Sequence, residues 1–414
     1  MKISRKDIEL MAPAGSFESL MAAIQGGADS VYFGLEKLNM RARSSFNFTV
    51  KDMPGIVTVC KQHGIKTYLA LNTIVYDDEL PEVKKIIKHA KKAKIDAVVV
   101  SDQSVIMLAR EENIETHLST QLNISNFESL KFYKDFADVV VLARELSLDQ
   151  IKEIIKSIRK DKITGPSGKL IKIELFIHGA LCMAISGKCY ISLHQYGYSA
   201  NRGECLQACR RTYIVSDKET GQELEIDNEF ILSPKDLCTI SILDKIIESG
   251  ASVLKIEGRA RSPEYVKTVT SCYAEAIEAY LNGNFNIENI KKWETKLSTV
   301  YNKGFWEGNY LGRKTGEWSD IYGSAATRKK IYLGKGINYY NRIKVAEFLL
   351  ENDSVRVGDE ILITGPTTGV IEAVITEIRT DDGIVTEVKK GESFSFPLSQ
   401  IIRPSDKLYK VVNS

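Results

Sequence analysis

Short apolar segments rich in β-branched residues recur along the first two thirds of the chain, with amphipathic stretches between them. Eight such segments can be counted, at residues 9–12, 31–34, 67–72, 97–102, 116–121, 139–144, 173–179 and 253–258. Strands that alternate with helices are typical of βα units that feed a parallel sheet, and eight parallel strands close into a barrel. The pattern therefore predicts an α/β protein with a TIM-like (β/α)₈ barrel.

The pattern changes near residue 331, where short alternating segments are separated by Asn, Asp and Gly turns. This change predicts a small C-terminal β-barrel domain. The predicted organisation is a (β/α)₈ barrel over residues 1–282, a helical segment and linker over 283–330, and the small β-barrel over 331–414.

One connection, between the seventh and eighth predicted strands, is much longer than the others and forms an insertion at residues 180–240. It holds five of the seven cysteines: Cys182, Cys189, Cys205, Cys209 and Cys238. The first residues lack the apolar core of a signal peptide, and no apolar run is long enough to span a membrane. We therefore expect a cytoplasmic protein with reduced thiols, in which clustered cysteines indicate a metal or redox site.

The cysteine spacing leaves the metal open. Successive cysteines are separated by six, fifteen, three and twenty-eight residues. Only Cys205 and Cys209 have the short spacing of a zinc knuckle, whereas iron–sulfur clusters also take four thiolates and accept wider intervals. The spacing predicts soft thiolate ligation of iron–sulfur or zinc, with one of the five thiols left over.

Polar residues stand at the carboxyl ends of the predicted strands, where barrel enzymes carry their active sites. We expect them to converge below the cysteine insertion and to form a site. They are Asn72, Asp102, Gln121, Asn123, Arg144, Glu145, His178, Glu257 and Arg259.

The segment ELFIHGALCMAISGKCYIS resembles the signature of the collagenase-like peptidase family U-32 without a gap. The similarity extends through SANRGECLQACR, SPKDLC, LKIEGRARSPEY, LMAPAGS, GADSVYFG and the Arg41-to-Phe48 segment RARSSFNF, so that it covers essentially the whole barrel. The matching positions in the signature are Glu174, Phe176, Gly179, Ala180, Leu181, Cys182, Gly187, Cys189, Ile191 and Ser192.

The resemblance implies a function that the family name does not state. Several members act as hydroxylation proteins on the wobble uridine of tRNA, on 23S ribosomal RNA or in ubiquinone synthesis, and related members carry a 4Fe-4S cluster on four cysteines. In length and in its β-rich tail the chain looks most similar to the tRNA uridine 5-hydroxylation branch, in which prephenate is implicated. The implied ligands are Cys182, Cys189 and Cys238, with Cys205 preferred over Cys209 as the fourth.

A prephenate-like donor carries carboxylates, which guanidinium groups bind best. The candidate cations are Arg43, Arg144, Arg259 and Arg261, with Asn72 and Gln121 as further substrate-binding residues. Glu257, His178 and Arg144 are the candidate catalytic groups, since they could move protons or orient the donor.

Three other functions stay open. A U-32 peptidase could use Cys182 with His178 or His194, although no H-E-x-x-H or G-x-S-x-G motif is present. Hydroxylation of ribosomal RNA is a second alternative. An RNA-binding or cofactor-carrying module that has no chemistry of its own and works with a paralogous subunit is the third.

Overall fold

The computed structural model describes residues 3–43, 46–211, 218–220, 232–312, 316–321 and 323–414. Parts of two segments singled out above lie outside the described residues. They are residues 44 and 45 of the RARSSFNF segment, and residues 212–217 and 221–231 of the predicted insertion.

Eight parallel strands form a closed barrel, which confirms the predicted α/β fold. Strands β1 to β7 pair in chain order, and β9 closes the ring by pairing with both β7 and β1. The short strand β8 lies antiparallel to β7 outside this ring. The strands are β1 (Glu9–Ala14), β2 (Ser30–Gly34), β3 (Lys66–Leu71), β4 (Ala97–Val100), β5 (Glu115–Leu118), β6 (Val139–Val141), β7 (Lys172–Gly179), β8 (Asp236–Cys238) and β9 (Val253–Ile256).

Amphipathic helices surround the barrel and bury their apolar faces against the strands. Side chains cap several of them, as Ser16 does for the first helix by accepting a hydrogen bond from the amide of Ser19. The helices are α1 (Phe17–Gln25), α2 (Met53–Gln62), α3 (Leu80–Ala93), α4 (Gln103–Glu111), α5 (Phe127–Phe132), α6 (Leu148–Lys160), α7 (Ile191–Tyr196), α8 (Leu243–Glu248), α9 (Pro263–Leu281) and α10 (Ile287–Ser298). Within the described ranges, no helix has the length and apolar character needed to cross a membrane.

The C-terminal part is β-rich, as predicted. A short strand, β10, pairs with β8, and the strands after it are antiparallel and follow the order β15-β14-β20-β11-β12-β19-β16-β17, with β13 and β18 in a separate pair. These strands share one core that includes three phenylalanines, Phe348, Phe394 and Phe396. The strands are β10 (Phe305–Trp306), β11 (Arg328–Tyr340), β12 (Val345–Leu350), β13 (Ser354–Arg356), β14 (Glu360–Gly365), β15 (Gly369–Val374), β16 (Ile378–Thr380), β17 (Gly383–Val385), β18 (Glu387–Lys389), β19 (Ser393–Pro397) and β20 (Lys407–Asn413).

The C-terminal domain docks on the barrel through α1 and α9. The side chain of Gln25 donates to the carbonyl of Thr368 at 2.9 Å and accepts from the amide of Val370 at 2.9 Å. Lys330 forms an ion pair with Glu264 of α9 at 2.8 Å. The two domains therefore enclose a cleft beside the carboxyl end of the barrel.

Candidate active site at the barrel mouth

A small cavity of about 40 Å³ lies inside the carboxyl end of the barrel. The active sites of this fold lie at the carboxyl end of the barrel, so a polar cavity here is a candidate active site. Its polar lining residues come from five strands or the residues just after them, and from the segment after β2. They include Tyr32, Arg41, Asn72, Ser119, Gln121, Arg144, Lys255, Glu257 and Arg259.

Glu257, at the end of β9, is held by Arg41. Both Nη2 and Nε of the arginine donate to Oε1 of the carboxylate, at 2.9 and 3.2 Å. Burial raises the pKa of Glu257, but the charges of Arg41 and Arg261 outweigh this effect and hold the pKa below its usual value. Glu257 is therefore an ionised carboxylate in a water-poor cavity, where it can accept a proton.

A second buried ion pair lies one layer deeper. Nζ of Lys255 is 2.7 Å from Oε1 of Glu174, and both side chains are almost completely shielded from solvent. Burial lowers the pKa of Lys255, whereas the charges of Lys255 and His117 overcome the burial of Glu174 and lower its pKa. Each group of the pair therefore favours the charged form of the other.

The cavity carries excess positive charge. Its four cations are Arg41, Arg144, Lys255 and Arg259, and its two partner carboxylates are Glu257 and Glu174. Four cations against two carboxylates leave two positive charges in a low-dielectric site. Buried charge of this kind is costly unless it is paired, so the site is suited to an anion with two negative charges.

Arg144 connects this inner cavity to a larger one. A mouth cavity of about 290 Å³ is lined by Arg144, Cys182, Tyr310 and Trp306, with Asn123 and Glu145 at its wall. Arg144 donates from Nη1 to the carbonyl of Ala180 at 3.1 Å and stacks on the ring of Phe176. Its Nε is buried without a hydrogen-bond partner among the described atoms. This unused donor is available to a ligand.

Arg259 lies at the boundary between the inner cavity and the cleft between the domains. It donates from Nη1 to Oδ1 of Asn39 at 2.9 Å, and burial lowers its pKa to about 10. The guanidinium passes directly over Gly34, where a Cβ atom would lie 2.3 Å from Nη1. Only glycine at position 34 leaves room for the arginine in this place.

Asn72 and Gln121 also line the inner cavity, where a serine joins them. Asn72 donates to Oγ of Ser119 at 3.2 Å and accepts from the amide of Met40 at 3.3 Å. The same serine donates to Oε1 of Gln121. Both predicted polar residues therefore face the site, whereas Asp102 caps α4 and accepts from the amide of Val75.

His178 does not reach any of these cavities, and its predicted place in the active site has to be corrected. The pairing of β7 with β9 contains an irregularity between Phe176 and His178, which breaks the alternation of inward and outward side chains. His178 faces outward instead, packs against Tyr265 and Phe305, and lies 3.3 Å from the hydroxyl of Tyr273. Burial lowers its pKa to about 3, so it is neutral.

Arg43 and Arg261 line the outer cleft rather than the inner cavity. Arg43 stacks on Tyr198 of the insertion, with the guanidinium carbon 3.9 Å from the ring centroid. Arg261 stacks on Tyr301 at 3.6 Å. These two residues were predicted as substrate-binding, and the structure places both about the entrance to the site.

Four of the five clustered cysteines lie in one neighbourhood. Arg210, which follows Cys209, donates to the carbonyl of Leu181, which precedes Cys182, at 2.9 Å. Burial together with the charges of Cys182, Cys205 and Cys189 raises the pKa of Cys209 to about 11, although Arg210 opposes this shift. The thiols of Cys182, Cys189 and Cys205 therefore all lie near that of Cys209.

The donor chemistry of these four thiols fits a thiolate-bound metal centre. The amide of Gln207 donates to Sγ of Cys205 at 3.4 Å, and hydrogen bonds to sulfur are a regular feature of iron–sulfur sites. Gln207 adopts a left-handed conformation that turns the chain between Cys205 and Cys209. In the described part of the chain, no three His, Cys, Asp or Glu side chains are grouped closely enough to hold a metal ion, so a metal on these thiols would require them to move together.

Cys238 lies apart from these four, which the sequence did not predict. It is buried on β8 opposite His178, and its thiol is 3.9 Å from the hydroxyl of Tyr273. Burial raises the pKa of Cys238 to about 12. Because directly paired residues face the same side of a sheet, Cys238 faces α9 as His178 does, and its role as a ligand stays a prediction.

Three charged residues that line or support the inner cavity were not predicted from the sequence. Arg41 stands in the RARSSFNF segment but was not singled out, and Glu174 was noted only for its match to the family signature. A signal was available for Lys255, because Lys255 and Glu257 alternate on one face of an otherwise apolar strand. Charged residues within an apolar barrel strand therefore indicate a polar site inside the barrel.

A family model supports the resemblance seen in the cysteine segment. The model described as Peptidase family U32 matches residues 15–320, which is well over half of the chain. The chain belongs to peptidase family U32. The predicted resemblance is thereby confirmed.

Curated relatives in family U32 carry two kinds of name. A Porphyromonas gingivalis protein named collagenase is 56% identical over 404 residues, covering 98% of each chain. A Bacillus subtilis protein named tRNA hydroxylation protein P1 is 32% identical over 423 residues, covering 99% of this chain and 96% of its own. An Escherichia coli protein named 23S rRNA 5-hydroxycytidine C2501 synthase is 38% identical over 297 residues, covering 72% of this chain and 43% of its own.

Proposed function

We propose that this family U32 protein is an enzyme that hydroxylates the wobble uridine of tRNA to 5-hydroxyuridine. The observation that carries the proposal is the inner cavity with two excess positive charges, placed beside Cys182 at the barrel mouth. The full-length similarity to a protein named for tRNA hydroxylation supports the choice of substrate.

The excess charge suits a prephenate-like dicarboxylate as the oxygen donor. Arg144 reaches both cavities, and its buried Nε has no partner, which leaves a donor free for one carboxylate. The mouth cavity of about 290 Å³ is near the lower limit for small-molecule pockets. Lys255 and Arg259 supply the remaining positive charge for the second carboxylate.

We assign the metal centre to Cys182, Cys189, Cys205 and Cys209, as a 4Fe-4S cluster. When bound, the cluster would supply one-electron chemistry to the donor site, because Cys182 lines the mouth cavity. Zinc on the same thiols is the alternative. Iron, sulfide and zinc content of protein purified without oxygen distinguishes the two.

Within the chain itself, Glu257 is the candidate proton acceptor. Arg41 keeps the carboxylate ionised and fixes its orientation, and an anion bound beside Glu257 would raise its pKa and make it a stronger base. His178 has no such role, because it is buried outside the cavities.

The peptidase alternative rests on the relatives named as collagenases. A cysteine peptidase requires a histidine within hydrogen-bond reach of its nucleophile. One of the two predicted partners of Cys182, His178, faces away from the mouth cavity and packs among aromatic rings. This arrangement leaves His194 as the predicted partner for a peptidase.

Nucleoside mass spectrometry of tRNA tests the proposal. A strain that lacks this gene should lose 5-hydroxyuridine and the wobble nucleosides made from it, and the wild-type gene should restore them. Glu257→Gln should fail to restore them, because the amide cannot take up a proton. Unchanged wobble nucleosides, in a strain without a redundant paralogue, would contradict the proposal.

Two further outcomes identify the alternatives. Loss of 5-hydroxycytidine from 23S ribosomal RNA would move the assignment to ribosomal RNA. Cleavage of gelatin by the purified protein, abolished by Cys182→Ala, would move it to the peptidase.

A further inference from the structure

The cleft between the barrel and the C-terminal domain has no role in the chemistry described above. It has a volume of about 870 Å³ and is the largest of the cavities discussed. Its walls come from the start of α1, from Arg43 and residues 46–48, from the start of α9, and from strands β14 and β20. We propose that this cleft binds the single-stranded RNA on either side of the target nucleotide. The inference rests on the proposed function and specifies where its substrate lies.

The charge of the cleft is strongly positive. Five basic side chains line it against two acidic ones, Glu18 and Asp52. Lys330 is neutralised by Glu264, but neither Arg261 nor Lys407 forms an ion pair with a described residue. Sequence-independent affinity for nucleic acid comes from such cations, because each phosphate contact releases condensed counterions. The basic residues of the cleft are Arg43, Arg259, Arg261, Lys330 and Lys407.

Aromatic side chains in the cleft offer stacking surfaces for bases. Phe46 is 94% exposed, more than any other large hydrophobic side chain in the described part of the chain. Tyr409 lines the opposite wall, on the C-terminal domain. A positive groove with aromatic platforms is the arrangement by which proteins bind single-stranded nucleic acid without reading its sequence. An acidic peptide would use the charge but not a fully exposed ring.

The backbone at the cleft adds to the positive potential. The first turn of α9 lies in the cleft, and its N-cap residue, Ser262, makes no side-chain capping bond. The N-terminal end of α9 and the adjacent Arg261 would both favour a phosphate here, since helix N-termini favour anions. The helix end alone would not define a site, but here it adds to five cationic side chains.

Arg259 connects the cleft to the site of chemistry. It is 5% exposed, and it lines both the cleft and the inner cavity that contains Glu257. An enzyme that modifies a base has to take that base out of its stack while it holds the neighbouring backbone. The cleft would hold the backbone, and the base would enter past Arg259.

Direct binding of RNA to the full-length protein tests this inference. The probe is a fluorescein-labelled, uridine-rich single-stranded RNA of twelve nucleotides, and the readout is anisotropy at several salt concentrations. Lys407→Glu should weaken binding and reduce the slope of log K against log salt by about 0.7, the value of one phosphate contact on a single strand. Phe46→Ala should weaken binding about 5- to 150-fold without a change in slope.

The matched control is Lys84→Glu on α3. Lys84 is exposed, as Lys407 is, and it belongs to the lysine-rich outer face of the barrel, away from the cleft. Lys84→Glu changes the net charge by the same amount as Lys407→Glu. It should leave both the RNA affinity and the slope of log K against log salt near the wild-type values.

The other outcomes are also decisive. If the wild-type protein binds RNA and all three variants bind it equally well, the cleft is not the RNA site. The proposed function would still stand in that case if the deletion strain loses its wobble nucleosides. If the wild-type protein binds gelatin peptides but no RNA, both the inference and the proposed function are overturned.

Discussion

His178 shows how a single residue can combine a conspicuous sequence position with a structural role. It stands four residues before Cys182 in the segment that resembles the family signature, yet it is buried against three aromatic rings on the outer face of β7. Its neutral form fits this environment, because burial lowers its pKa to about 3. The residue therefore affects stability rather than catalysis.

A pH series on His178→Phe tests this role. The unfolded chain binds a proton at this histidine below about pH 6.5 and the folded chain does not, so His178 makes the protein less stable as the pH falls from 6.5 towards 3. Phenylalanine removes this dependence, and the loss of unfolding free energy between pH 8 and pH 5 should shrink by about 2 kcal/mol. Urea unfolding followed by tryptophan fluorescence measures it, since all three tryptophans precede residue 320.

Activity provides the control for the same variant. His178→Phe should restore the wobble nucleosides of a deletion strain as the wild-type gene does. A variant that is as stable as the wild type at pH 8 but restores nothing would return His178 to the active site.

At the residue scale, polarity at strand ends predicted much of the lining of the site. Asn72, Gln121, Arg144, Glu257 and Arg259 all line the inner cavity, because the carboxyl ends of parallel strands meet at one face of the barrel. His178 could not be placed in this way, since a bulge is invisible in a hydrophobic pattern. Arg41 lies in an irregular segment, where no period indicates which way a side chain points.

At the scale of elements, the insertion after β7 determines which thiols meet. Its tight turns, with left-handed Gly203 and Gln207, bring Cys205 and Cys209 back beside Cys182. Cys238 comes after the insertion and belongs to β8, whose register with β7 fixes the side chain against α9. Spacing alone could not distinguish Cys209 from Cys238, because both follow Cys205 at distances that ligands tolerate.

Substitution of single cysteines tests the ligand set. Cys209→Ser should abolish the cluster after anaerobic reconstitution, because a serine oxygen is a poor ligand for a soft site. Cys238→Ala should retain iron and sulfide at the wild-type ratio. Cys272→Ala is the matched control, since Cys272 is a buried thiol on α9.

The opposite pattern of iron loss would support the ligand set predicted from the sequence, which includes Cys238. A Cys238→Ala protein that loses its iron, together with a Cys209→Ser protein that keeps it, would make Cys238 the fourth ligand. Stoichiometric zinc in all three proteins would replace the cluster by a zinc site.

At the scale of the whole molecule, alternating strand patterns predicted the β-rich C-terminal part, but not how it meets the barrel. The contact depends on Gln25 at the end of α1, which bonds two backbone groups beside the start of β15. A glutamine near the end of a helix carries no signal for such a contact in the sequence. The cleft that this docking creates was therefore not predictable, although its lysines and arginines are plain in the sequence.

Gln25→Ala should loosen the domain contact and thereby weaken RNA binding. The substitution leaves the carbonyl of Thr368 and the amide of Val370 without partners, and each unsatisfied buried group costs about 1–3 kcal/mol. Amide hydrogen exchange at residues 367–374 should accelerate, and affinity for the twelve-nucleotide RNA should fall because the two walls of the cleft separate.

Glu372→Gln removes only an exposed ion pair with Lys267 and should change neither measurement appreciably. Faster exchange with unchanged RNA affinity would mean that the two walls do not act together, and the RNA would then have to lie on the barrel side alone.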